Sequence, residues 1–189
     1  MKTCSMRLLP ALFLLIFFSS CWPKPRPYNP NPIHTYGFKP VLSSRIAAKE
    51  IRYIDSVLPV SFPGNIYAMG NTIYQLDIGK GIHIIDNSIP SQAHRTGFIQ
   101  VYGSSQMSIK DHYLYTNSYN ELVVLDIATP NTVNIISRVT DAFPNGYNDY
   151  IYMEPLESGY YECPGESAYT DSVIVGWVKD SIWTTCYKN

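Results

Sequence analysis

Gly81-Ile82-His83-Ile84-Ile85-Asp86 and Glu121-Leu122-Val123-Val124-Leu125-Asp126 decide the reading of this 189-residue chain. Each is an apolar run closed by Asp. The two Asp residues stand 40 apart, and so do Pro90 and Pro130 behind them. Ahead of the runs, Ile73-Tyr74 matches Leu114-Tyr115, and residues 66–71 match residues 107–112, both at an offset of 41. A one-residue deletion in a turn accounts for the difference. A period near 40 with several short strands per unit is the pattern of a β-propeller blade. Ile82, Ile84 and Ile85 put apolar side chains on both faces of one strand, as strands buried between stacked blades require. The expected fold is therefore all-β, with propeller-like blades of antiparallel strands. The domain should run over residues 41–189, with repeats at about 64–103 and 104–143 and a degenerate, cysteine-containing tail at 144–189.

Two clear repeats and a degenerate third do not close a ring, since propellers use about four blades or more. A homo-oligomer that completes the blades, one half of a longer propeller and a truncated propeller without independent function all fit. Residues 41–58 are ambiguous. Ala47, Ala48 and Glu50 favour a short helix within 44–57, and residues 52–60 read equally as a strand.

The N-terminus carries an address. Lys2 and Arg7 precede an apolar core, Leu8–Phe18, of eleven residues. A bilayer-spanning helix needs about 20, so residues 1–20 read as a secretory signal. Phe18-Ser19-Ser20-Cys21 resembles the lipobox of bacterial lipoproteins, with Phe18 where Leu is usual. That resemblance implies lipidation of Cys21 and a membrane partner through the lipid, in the bacterial cell envelope, with the outer membrane as the expected site. Residues 21–40 contain Pro23, Pro25, Pro27, Pro30, Pro32 and Pro40 and read as an extended spacer.

From Cys21 onward, 12 basic residues face 15 acidic ones, a formal charge of −3. Without a basic stripe, nucleic acid is not an expected partner. Cys163 and Cys186 are expected to form a disulfide, which an exported chain retains. Closing that loop contributes roughly 3 kcal/mol. Free thiols and a zinc site are the rival readings. Zinc needs about four ligands at close spacing, and His34, His83, His94 and His112 all precede the pair.

Chemistry is sparse in the sequence. Asp86 and Asp126 recur at the repeat period, which points to side chains that accept turn N–H groups. His83 stands where the second repeat has Val123 and reads as a partly buried structural histidine. Gly79-Lys80-Gly81 is a hairpin turn with no helix behind it to hold a phosphate. No catalytic, metal or cofactor set is expected. Residues 139–178 hold seven acidic residues, six tyrosines and no Lys or Arg. Aromatic rings beside carboxylates hold sugars or cations, so Tyr152, Glu154, Tyr160, Tyr161 and Glu162 form the candidate ligand surface.

"GKGIHIIDNSIPSQ", "ELVVLDIATPNTV" and the "YYECP…VIVGWVKD…CY" tail resemble the LVIVD-repeat lipoproteins of Bacteroidetes-type bacteria over about residues 50–189. The resemblance implies a propeller-like fold and an envelope address but no chemistry. The functional expectation is a membrane-tethered, non-enzymatic binding or scaffolding module. Its partner would be another envelope protein or a glycan. The alternative is an envelope glycoside hydrolase using two carboxylates of residues 149–166.

Overall fold

The computed structural model describes residues 31–129, 131–143, 154–163 and 171–189. Lipidation at Cys21, the signal at 1–20 and the candidate Tyr152 lie outside the described residues.

Each repeat forms an antiparallel meander. In the first, β3 (Pro63–Met69), β4 (Thr72–Asp77), β5 (Gly81–Asp86) and β6 (His94–Gln100) pair in sequence, and β2 (Arg52–Ile54) adds to the outer edge beside β6. In the second, β7 (Met107–Lys110), β8 (Tyr113–Ser118), β9 (Glu121–Asp126) and β10 (Asn134–Val139) do the same. The sheets come closest along β3 and β7, the arrangement of two blades converging on an axis. Both readings of residues 41–58 hold in part: α1 (Arg45–Ala48), capped by the Ser44 hydroxyl, is followed by the short β2.

Strand alternation distributes the core. Tyr74, Leu76, Ile82 and Ile84 point from the first blade to the second, and Leu114, Val123 and Leu125 point back. All seven are buried to 3 % exposure or less. Burying such side chains contributes about 1.5–3 kcal/mol each, so the blade–blade contact is the main apolar stabilisation of the repeats.

Polar contacts also recur at the repeat period. Asp77 ends β4 and accepts the Ser61 and Phe62 N–H groups. Asn117, which pairs with Leu122 as Leu76 pairs with Ile82, acts from the neighbouring position and accepts those of Ser105 and Gln106. Each side chain pins the segment entering its blade. As expected, Asp86 accepts the Ser88 N–H and Asp126 the Ala128 N–H in the turns that follow.

Among the described residues, the tail makes no third meander. β12 (Ser172–Thr184) pairs antiparallel with β1 (Ile33–Ser44) along its length, from Ile33 opposite Thr184 to Ser44 opposite Ser172. β11 (Gly159–Tyr161) lies parallel to β1 at Phe38, and β13 (Cys186–Lys188) pairs with β11. The spacer boundary is therefore corrected. Residues 33–40 are a paired strand, and Phe38 is 8 % exposed. Pro40 is tolerated because β11 runs alongside β1 only at Phe38, leaving one side of Pro40 without a ladder partner to serve. Cys163 and Cys186 are joined by a disulfide, which fastens β13 to the end of β11.

This tail sheet sits against the hairpin ends of the blades. Tyr119, in the β8–β9 turn, donates its hydroxyl to the Ile174 carbonyl at 3.0 Å and packs with Ala48, Val173 and Val175.

Candidate functional site

The β4–β5 hairpin of the first blade also meets the tail sheet, but it leaves a groove there. Of the turn residues, Ile78 packs against the blade core, Gly79 has no side chain and Lys80 is exposed. Gly79 adopts φ 83°, a conformation that favours glycine. On the opposite wall, β12 carries Val175, Gly176 and Trp177. A Cβ added to Gly176 would meet nothing within 4 Å, so the groove wall is open at this point.

Two clefts share Ser61, Lys80, Val175, Gly176 and Trp177 and join into one groove. The smaller, about 110 Å³, adds Phe38, Phe62, Leu156, Glu154 and Glu157. The larger, about 330 Å³, adds Leu58, Phe98, Tyr102, Gln100 and Asp77. Apolar and aromatic surface thus carries a few polar groups, the usual make-up of a small-molecule site. The exposed Lys80 ammonium donates to the Ser61 hydroxyl at 2.5 Å. The ammonium thus stands at the junction of the two clefts, with the Ser61 hydroxyl as its acceptor.

Asp77 is 1 % exposed and paired with His83. Burial pushes its carboxyl up. The His83 ring, the Phe62 and Ser61 N–H groups and the Lys80 charge outweigh that and hold it below the ordinary carboxylate value. His83 is more buried than its sequence suggests. It is fully enclosed, with Nε2 3.4 Å from Asp77 and its ring tilted on Phe98. Val123 fills the same place in the second blade, opposite Thr116 as His83 is opposite Gln75, and the position equivalent to Asp77 is Ser118.

The structure brings two of the candidate ligand-surface residues to the groove. Glu154 lines it. Tyr161 lies behind, donating to Glu154 at 3.3 Å and meeting Trp177 edge-on at 5.8 Å. Burial, and then the Glu154 charge, raise the Tyr161 phenol, so it stays a donor. Tyr160 does not border the groove: it alternates to the other face of β11 and packs edge-on against Tyr187. Glu162 does not border the groove either; its N–H continues the sheet by donating to the Phe38 carbonyl.

Trp177, Phe38, Lys80, Asp77 and Gly176 escaped sequence reasoning. For Asp77 the repeat gives only a polar residue, Ser118, at the equivalent place. Phe38 and Trp177 carry no comparable mark, because the pairing of β1 with β12 is non-local. Comparison with protein-family models, curated proteins and solved structures finds no match to the chain.

Proposed function

We propose that this chain is a lipid-anchored module of the bacterial envelope that binds a saccharide in the groove between its first blade and its tail sheet. The observation that carries the binding role is the open wall at Gly176, flanked by Trp177 and Phe38 and facing Lys80 and Glu154. Aromatic faces stack on sugar rings, and the ammonium and carboxylate take hydroxyl groups. The address rests on the signal-like N-terminus and Cys21, and the resemblance to LVIVD-repeat lipoproteins rests on the repeat motifs.

Two measurements test the reading separately. Fatty-acid labelling of the full chain, lost in Cys21→Ser, tests the anchor. Tryptophan fluorescence titrated with a panel of envelope glycans tests the site. Binding should be abolished by Gly176→Phe, which fills open space, and weakened at least tenfold by Trp177→Ala. Binding that survives Gly176→Phe removes the groove from consideration.

Glu154 and Glu157 both border the smaller cleft, which favours one second reading, a glycoside hydrolase. Glycan cleavage lost in Glu154→Gln with binding retained supports it. Intact glycan after prolonged incubation with the wild-type chain rejects it.

A further inference from the structure

The two blades leave two faces open, and the repeat makes those faces complementary. On the first blade, the face turned to the second carries Tyr74, Ile82 and Ile84, all nearly fully buried. One repeat on, the same positions are Tyr115, Leu122 and Val124. These are only partly buried, and beside them Val139 and Phe143 are 48 % and 42 % exposed. A cleft of about 420 Å³ lined by Tyr115, Leu122 and Phe143 opens on this face.

The converse holds at the other end. The second blade covers the first with Leu114, Val123 and Leu125, which are fully buried, and with Met107. One repeat back, those positions are Ile73, His83, Ile85 and Ile66. His83 is covered within the chain. Ile73 and Ile85 remain partly exposed, and Ile66 is 59 % exposed. A second open cleft, lined by Val57, Gln75, Ile85 and Arg95, lies on this face.

We propose that these faces are the two halves of one interface, and that a second copy of this chain seats its first blade on the second blade of its neighbour. The contact continues the blade–blade interface already present within each chain. A polar detail follows the same rule. The Asn65 amide donates to the Met107 carbonyl across the internal interface at 2.6 Å. Its repeat equivalent is Gln106, exposed and again an amide, and the equivalent acceptor is the Ile66 carbonyl of the second copy. The contact is head-to-tail, so it must close into a ring to remain finite. With two blades per chain and about four to eight blades per ring, closure takes about two to four copies.

The test is the mass of the full chain by analytical ultracentrifugation, in detergent if it is recovered with membranes. The wild type should sediment as a discrete dimer, trimer or tetramer. Val124→Glu and Ile73→Glu, on opposite open faces, should each give folded monomers. Mixed together they should form a dimer, because one intact face of each kind remains. Chains with Gln106→Cys and Ile66→Cys, mixed and oxidised, should give an inter-chain disulfide. A monomeric wild type overturns the proposal. So does a mass that Val124→Glu lowers and Ile73→Glu leaves unchanged, since that pattern belongs to a face pairing with itself. Absence of the mixed disulfide overturns it even where a glutamate variant fails to fold.

Discussion

Ile82 and Leu122 occupy the same place in successive repeats, yet truncating them should cost different amounts. Ile82 is fully buried between two blades, with Tyr74, Leu76 and Ile99 in the same core. Ile82→Ala leaves an enclosed cavity, so both the transfer and the cavity contributions apply, and the expected cost is about 4 kcal/mol. Leu122 has the same number of carbons but lies on the open face, lining a cleft. Its loss leaves no sealed void. Three methylene equivalents at about 0.8 kcal/mol each, scaled by roughly one half for partial burial, give about 1.2 kcal/mol. Urea denaturation of dilute, oxidised full chain measures both values. The stacked-blade account requires a gap of about 2–3 kcal/mol between them. A gap under about 1 kcal/mol, or a reversed order, refutes it. If copies assemble through this face, the Leu122→Ala cost should also grow as chain concentration rises, because the site becomes buried by association.

Removing the Cys163–Cys186 disulfide, by Cys163→Ala with Cys186→Ala, should lower stability by roughly 3 kcal/mol; an unchanged urea midpoint would show that the loop it closes is already constrained in the unfolded chain. Gly176→Ala should stabilise by about 0.5–1 kcal/mol, since the added Cβ meets nothing and strand glycine is entropically costly, whereas Gly97→Ala should destabilise because its Cβ would strike the Tyr53 ring; equal effects in thermal unfolding would contradict the packing. Glu121 lies buried between Lys49 and Arg138. Burial raises its carboxyl, but the two cations outweigh burial and hold it low. The folded state therefore binds the proton less readily than the unfolded one, and the stability gained is present above the unfolded carboxyl value of 4.5 and is lost as pH falls from there through the lowered folded value. Glu121→Gln should flatten that acid limb while destabilising at neutral pH, and an acid limb identical to the wild type in pH-dependent urea melts would remove the triad from the account.

What the sequence reveals divides along contact distance. The blades are legible because each contact within a meander joins neighbours, so the apolar period, the terminal Asp and the Pro-containing turn all repeat at one spacing. The tail sheet is not legible, because β1 meets β12 across about 140 residues, as the Lys39–Asp180 pair shows with a separation of 141. A proline-rich stretch reads as spacer when its partner strand is that far away. The candidate site follows the same division. Glu154 and Tyr161 stand out by local composition. Tyr160 and Glu162 share that composition, but strand alternation and the β11 register send them elsewhere. Trp177 and Phe38 acquire meaning only when β1 and β12 are paired.

The location of the groove has a cause in the repeats themselves. Two equivalent hairpin turns reach the tail sheet, Gly79-Lys80 in the first blade and Tyr119-Asn120 in the second. Both first residues take a positive φ, 83° for Gly79 and 55° for Tyr119. In the second blade a tyrosine accepts that conformation, which is uncommon for a bulky residue, and its ring fills the junction and bonds to Ile174. In the first blade glycine fulfils the backbone requirement without filling the space, and Lys80 brings a charge to the edge of the opening. The same fold element is thus a plug in one repeat and an entrance in the other. The difference lies at a position where the repeat needs only a turn, so sequence can change there without disturbing the blades. A site arising in that way belongs where the repeat is interrupted, which explains why scanning the recurrent Asp and apolar positions finds packing and not ligand chemistry.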